Sequence, residues 1–178
     1  MNPDIFRRLV RKNEPVTEMA AQERALWDKA VEAPYGGVII PLDGEDPYMM
    51  RVYLAPERMS GHQGYRPYLH YFFRGDDDRA LHNHPWRLSH SFILFGGYRE
   101  YRWDGKHQVI LERDFRPGDV NFLSRQDYHR IELLDPERGC WSLFFAIDRL
   151  AKSDGTDWDF FIPETGETIP WGKYVGKQ

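Results

Sequence analysis

The sequence LHNHPW at residues 81–86 decides how this chain is interpreted, because it places two histidines two positions apart. In an extended segment, His82 and His84 project from the same face, which is how a strand presents two ligands to one metal ion. A third histidine, His129, follows the Pro-Gly-Asp turn at residues 117–119. Three histidines in this pattern predict a site for a divalent transition metal.

The histidines lie within a region whose composition is typical of β-strands. About eight segments are rich in β-branched and aromatic residues; they are residues 36–42, 48–54, 65–74, 89–103, 106–113, 119–124, 128–134 and 140–147. Turn-forming pairs separate them, among them Asp43-Gly44 and Asp104-Gly105, and the latter is typical of a hairpin. Short antiparallel strands without intervening helices predict an all-β sandwich or barrel, and the chain length suits a jelly roll.

The first residues have a different pattern, which favours two helices before the strands. Residues 3–13 place apolar side chains along one side of a helical projection, and residues 17–34 form a second candidate helix with Thr17 as its N-cap. We therefore expect a short N-terminal helical arm. The predicted organisation is a helical arm over residues 1–35, a β-barrel over residues 36–150 and a C-terminal tail over residues 151–178 that packs on the barrel.

Composition restricts the class of protein. A chain of 178 residues with 11 Phe, 6 Trp and 10 Tyr is one domain with a sizeable core rather than a disordered segment. The formal net charge of −4 argues against nucleic acid as a partner and fits a small-molecule ligand. No apolar run has the length of a membrane span, and the single cysteine, Cys140, forms no internal disulfide. These features predict a cytoplasmic protein without a membrane partner.

The spacing around the two histidines resembles the first motif of the cupin superfamily. His82, His84 and Gly96 fall in register with that motif, and Ser89 stands where the family has a glutamate. The glycine before the histidines, Gly75, lies one residue further away than in the family pattern. The chain therefore offers the histidines of a cupin metal site without its carboxylate.

The second cupin motif is matched less completely. Gly118 and Asp119 open it and His129 occupies the ligand position, whereas Ser124 and Gln126 replace its turn residues. The chain also resembles a group of small cupin-like proteins of bacteria and their phages, a resemblance that supplies no substrate. The superfamily resemblance implies a jelly-roll β-barrel, a metal held by the three histidines, and a homodimer.

Three neutral imidazoles bind several divalent metals, so the sequence leaves the chemistry open. Fe(II) would resemble the cupin dioxygenases, and a metal-dependent oxidoreductase of this type acting on a small molecule is the leading hypothesis. Zn, Ni or Mn are alternatives, and Zn would favour hydrolysis or hydration. Two other functions stay open: a non-catalytic cupin that binds a sugar or another small molecule, and a metal-dependent isomerase or epimerase.

Further residues are candidates for the walls of the pocket. Tyr68 and His70 share one strand face, and they are either hydrogen-bonded core residues or catalytic groups. Arg51 is either a surface cation or a group that binds an anion inside the barrel. The remaining candidates share the presumed inner face of the next strand or its entrance; they are Ser89, Ser91, Phe95 and Trp86.

Overall fold

The computed structural model describes residues 3–15, 18–41, 46–56, 64–76, 80–150 and 158–174. The turn predicted at Asp43-Gly44 and the helix start predicted at Thr17 lie outside these residues. The described residues form three helices: α1 (Pro3–Lys12), α2 (Ala21–Val31) and α3 (Trp171–Tyr174). Helix α2 is shorter than the helix predicted over residues 17–34, because residues 18–20 are not helical and it ends at Val31. It begins at Ala21, after Ala20, whose backbone N–H donates to Glu23 Oε2 at 3.3 Å.

Twelve strands are formed by the described residues, more than the eight or so segments that the sequence suggests. The strands are β1 (Gly37–Pro41), β2 (Pro47–Tyr53), β3 (Tyr65–Phe72), β4 (Leu81–His82), β5 (Trp86–Phe95), β6 (Tyr98–Asp104), β7 (Val109–Phe115), β8 (Val120–Ser124), β9 (His129–Leu133), β10 (Cys140–Arg149), β11 (Asp159–Ile162) and β12 (Glu167–Pro170). The additional strands arise because one long predicted segment contains both β5 and β6, because residues 81–82 form the short strand β4, and because C-terminal residues form β11 and β12.

The strands form two antiparallel six-stranded sheets. One sheet has the order β1-β2-β3-β10-β5-β8 and the other has the order β12-β11-β4-β9-β6-β7. Strands β6 and β7 form the hairpin predicted at Asp104-Gly105. The all-β prediction with an N-terminal helical arm is therefore confirmed.

The chain passes from one sheet to the other between β5 and β6, through Gly96 and Gly97. Gly96 has a φ of 71°, and a Cβ atom there would collide with the carbonyl oxygen of Gly139. Only glycine meets both requirements at low cost, because other residues are strained at positive φ. This crossing leads the chain into β6, which pairs with β9, the strand that carries His129.

The outer face of the first sheet is covered by the N-terminal helices. Phe6 and Val10 of α1 and Trp27 of α2 are fully buried there, against Tyr71 and Trp141 of the sheet. Gly37 permits this close approach, since a Cβ atom would collide with the Phe6 ring. Phe6 and Val10 of the apolar face predicted for α1 are thus the residues that pack, whereas Ile5 of the same predicted face is exposed.

Between the sheets, a second apolar cluster includes Ile93, Tyr98, Phe115 and Ile131. Among the described residues, no helix is long and apolar enough to cross a membrane. The space between the two sheets also contains the histidines.

Candidate metal centre

The three histidines predicted to form a site lie together on neighbouring chain segments. His82 in β4 is the direct cross-strand partner of His129 in β9, and His84 lies two residues beyond His82. The ring centroids are 5.2 Å apart for His82 and His84, 4.9 Å for His82 and His129, and 5.1 Å for His84 and His129. One potential ligand atom from each ring lies within 4.8 Å of the others.

The loop between the two histidines is fixed by Asn83, a residue that the sequence does not single out. The buried Asn83 accepts a hydrogen bond from the backbone N–H of Asp159 at 2.8 Å and donates its own backbone N–H to the Asp159 carbonyl at 3.1 Å. Strand β11 also pairs with β4, placing Phe160 opposite His82. The C-terminal segment is therefore a structural support of the histidine loop as well as a packing element.

The histidine geometry fits a divalent transition metal. His84 Nε2 and His129 Nε2 are 2.9 Å apart, and two ligands at about 2.1 Å from one ion and about 90° from each other would be separated by about 3 Å. Burial holds the pKa of His84 well below its usual value, and the neighbouring His129 and His82 lower it further, so its imidazole is neutral and able to bind a cation. Among the described residues, no carboxylate or thiol belongs to this cluster.

Behind His129 lies a carboxylate that the sequence analysis missed. Glu100 of β6 is 3% exposed, and its Oε1 accepts the Nδ1 proton of His129 at 2.8 Å. This bond fixes the tautomer of His129 so that Nε2 carries the free lone pair that faces the cluster. Glu100 thus positions a candidate ligand and does not replace one.

A network of polar groups keeps Glu100 ionised despite its burial. Burial favours the neutral acid, but hydrogen bonds from His129 and Asn121 and the charge of Arg102 lower the pKa of Glu100 to about 2. Asn121 Nδ2 donates to Glu100 at 2.7 Å and to the Tyr98 hydroxyl at 3.1 Å. The carboxylate is therefore fully charged at neutral pH.

The histidines open into a cavity of about 330 Å³, a volume at the lower end for small-molecule sites. Of the predicted pocket residues, Trp86 and Ser91 line this cavity, and Phe72, Phe144 and Trp158 form much of its apolar wall. Trp158 is also 5.5 Å from the His82 ring, measured between ring centroids. The enclosure therefore offers a small, mostly apolar space beside the imidazoles.

Arg51 and His70 line the same cavity from the neighbouring strands β2 and β3. Arg51 Nε donates to His70 Nε2 at 3.0 Å, and its guanidinium lies 5.0 Å from the centroid of the Tyr68 ring. Tyr68 lines a second cavity of about 160 Å³ that also contacts Arg51. Tyr68 therefore supports Arg51 from the far side and does not reach the main cavity.

Two other predicted pocket residues lie outside the cavity lining. Ser89 is buried between Ala146 and Leu123, its cross-strand neighbours, and its hydroxyl has no hydrogen-bond partner among the described residues. Phe95 pairs with Trp141 and packs against the cluster beneath the helices. The reason is a β-bulge near Leu94, which shifts the register and turns Phe95 to the outer face.

Comparison with known proteins places the fold. By sequence, the chain matches no protein-family model and no curated protein. By structure, it is similar to Fe(II) HppE in complex with substrate, with a TM-score of 0.50, 12% identity and coverage of 64% of this chain and 57% of that chain. The oxalate decarboxylase of Bacillus subtilis gives a TM-score of 0.46, 16% identity and coverage of 73% and 29%. A cupin superfamily protein from Desulfitobacterium hafniense gives a TM-score of 0.41 and 16% identity, with coverage of 62% of this chain and 97% of that chain.

The fold is therefore similar to that of Fe(II) HppE, and its two antiparallel sheets agree with the all-β barrel that the sequence predicts. The chain spans 57% of HppE and 29% of the oxalate decarboxylase chain. At this level of identity the comparison concerns the fold alone.

Proposed function

We propose that this protein is a metal-dependent enzyme in which His82, His84 and His129 hold one Fe(II) ion and a small molecule reacts with dioxygen. The observation that carries the proposal is the meeting of three imidazoles, with no carboxylate among them in the described chain, beside a cavity of about 330 Å³. Such a donor set suits Fe, Zn, Ni or Mn and leaves coordination positions open. The fold is shared with HppE, which was solved with Fe(II) and substrate.

The roles of the protein groups follow from their contacts. Fe(II) bound at such a site supplies one-electron chemistry that activates dioxygen. Glu100 holds His129 in the tautomer that presents Nε2, and Trp158 and Phe144 provide apolar walls beside it. The small molecule occupies the remaining space between these rings and Arg51.

The metal can be tested first, without knowledge of the substrate. Protein purified without chelator is expected to contain about one transition-metal ion per chain. After anaerobic loading with Fe(II), nitric oxide is expected to give the electron paramagnetic resonance signal of a high-spin iron nitrosyl, which requires an open coordination position.

Oxygen uptake then tests turnover. A panel of small metabolites is expected to include at least one that accelerates oxygen consumption by the Fe(II)-loaded protein and not by the His82→Ala variant. Stoichiometric Zn with no oxygen uptake would instead favour hydrolysis, isomerisation or binding alone. Absence of a stoichiometric metal in the purified and the reconstituted protein would refute the proposal.

The proposed functional unit is a homodimer in the cytoplasm. Strand β8 ends the first sheet, and Phe122 on its outer face is 66% exposed. Phe92 and Leu88 of the adjacent β5 are also exposed. Pairing of β8 with the same strand of a second copy around a two-fold axis would extend the sheet and bring the two Phe122 side chains into contact across the axis.

Phe122→Asp is therefore expected to convert the dimer into a monomer, because two charges would face each other across the two-fold axis. Multi-angle light scattering measures the mass, and the metal content should stay unchanged since Phe122 is on the outer face. A wild-type monomer, or a variant that stays dimeric, would contradict this interface.

The net charge of −4 supports a small-molecule partner over nucleic acid.

A further inference from the structure

The charges around the cavity are unbalanced, and Arg51 is the centre of the imbalance. Arg51 lies half-buried on β2 and lines the cavity beside the histidines. Its hydrogen bond goes to the neutral acceptor His70 and its face lies on the neutral ring of Tyr68. Among the described residues, it forms no ion pair with a carboxylate. A cation that has lost part of its solvent and has no anion beside it is destabilised, so an anionic partner from outside the chain would stabilise it.

His70 orients Arg51 without neutralising it. Its ring stacks on Phe144, with centroids 4.9 Å apart and an interplanar angle of 22°, and lies nearly parallel to Tyr68. Burial and the nearby Arg51 hold the pKa of His70 well below its usual value, so the imidazole is neutral and Nε2 accepts the Arg51 proton. A carboxylate at this position would cancel the charge of Arg51, whereas an imidazole leaves that charge available to a ligand.

Two other charged groups line the cavity, one basic and one acidic. Arg149 lines the same cavity, with its guanidinium 5.5 Å from the Trp86 ring centroid. The one acidic lining residue in the described chain, Asp76, is engaged by the Tyr48 hydroxyl at 2.8 Å and by the backbone N–H of Ile131 at 2.7 Å. A divalent ion at the histidines would raise the positive charge further.

We infer that the cavity binds a small organic carboxylate, with its anionic group on the Arg51 guanidinium and the rest of the molecule directed toward the three histidines. The planar guanidinium matches a carboxylate in geometry and charge. Phe144 and Trp86 provide apolar surface for the carbon skeleton, and the volume of about 330 Å³ limits it to a small metabolite. This assignment rests on the proposed function, because it takes the histidine centre as the reacting end.

Binding can be measured on the full-length protein loaded with Mn(II), by calorimetry with carboxylic acids of two to six carbons. Each acid is paired with its uncharged amide or methyl ester, for example lactate with lactamide and pyruvate with methyl pyruvate. We expect at least one acid to bind and its uncharged counterpart to bind roughly 100-fold more weakly.

Arg51→Met is expected to abolish this preference for the acid and to leave the metal content unchanged. Arg51→Lys, which retains the charge without the planar group, should recover part of the affinity. Arg99→Met is the matched control, because Arg99 is exposed on β6 and paired with Asp114. If Arg51→Met does not fold, the comparison of acid and amide on the wild-type protein still decides the question.

His70 is a positioning residue in this scheme, and its variants separate positioning from packing. His70→Phe should reduce the discrimination between acid and amide, and His70→Gln, which can accept the same hydrogen bond, should restore part of it. A general packing defect would weaken the acid and the amide equally.

Several results would overturn the inference. They are the absence of binding by any carboxylate, equal binding of acids and amides, or inorganic phosphate and sulfate binding as tightly as the best acid. The test of carboxylate binding and the test of the metal-dependent enzyme can fail independently of each other. Protein that binds metal but no carboxylate refutes this inference alone, whereas Arg51-dependent carboxylate binding in protein that takes up no metal refutes the metal-dependent enzyme alone.

Discussion

His129→Ala is expected to reduce the metal content from about one ion per chain to nearly none. The substitution removes one of three proposed ligands and leaves His82 and His84 as two imidazoles, too few for a stable site in competition with water. It also leaves the buried carboxylate of Glu100 without the proton that it accepts at 2.8 Å. Elemental analysis after reconstitution and desalting measures the loss directly.

A second variant, at Glu100, tests the orientation of His129 while His129 itself stays in place. Glu100→Gln keeps the shape of the side chain but removes its charge, and an outer partner of this kind typically changes metal affinity by about 10–100-fold. His107→Ala is the control, since His107 is exposed in the β6–β7 turn and bonded to Asp104. Full metal content in His129→Ala would show that the three histidines do not form the binding site.

The sequence predicted the elements that depend on local patterns. The spacing of His82 and His84 in LHNHPW predicted that both face one side, and the resemblance to the second cupin motif placed His129 with them; the structure brings their ligand atoms within 4.8 Å. The hairpin at Asp104-Gly105 and the apolar face of α1 were also predicted, because turn chemistry and helical periodicity depend on neighbouring residues.

The groups that support the site could not be found in this way. Glu100 reaches His129 across paired strands, and Asn83 bonds to Asp159, which is 76 residues away. Such contacts depend on which strands become neighbours, and a single sequence carries no signal for that. The bulge that turns Phe95 outward is a similar case, because one extra residue reverses every later side chain of the strand.

Trp27→Ala is expected to lower the free energy of unfolding by about 3–5 kcal/mol, a large part of the stability of a domain. Trp27 of α2 is 1% exposed and makes edge-to-face contacts with Tyr71, Trp141 and Phe73, at centroid distances of 5.4, 6.0 and 6.4 Å. Alanine would leave a cavity at the centre of this cluster. Urea denaturation followed by circular dichroism measures the change.

This result would make residues 1–35 part of the same cooperative unit as the barrel rather than a detachable arm. Trp27→Phe is the matched control: it keeps an aromatic ring and removes an indole N–H that has no hydrogen-bond partner among the described residues, so a cost below about 1.5 kcal/mol is expected. Because Tyr71 and Trp141 lie on strands β3 and β10, whose inner faces carry His70 and Phe144, loss of Trp27 should also loosen the cavity wall. A Trp27→Ala protein with unchanged unfolding midpoint would instead mean that the barrel folds and holds its site without the helices.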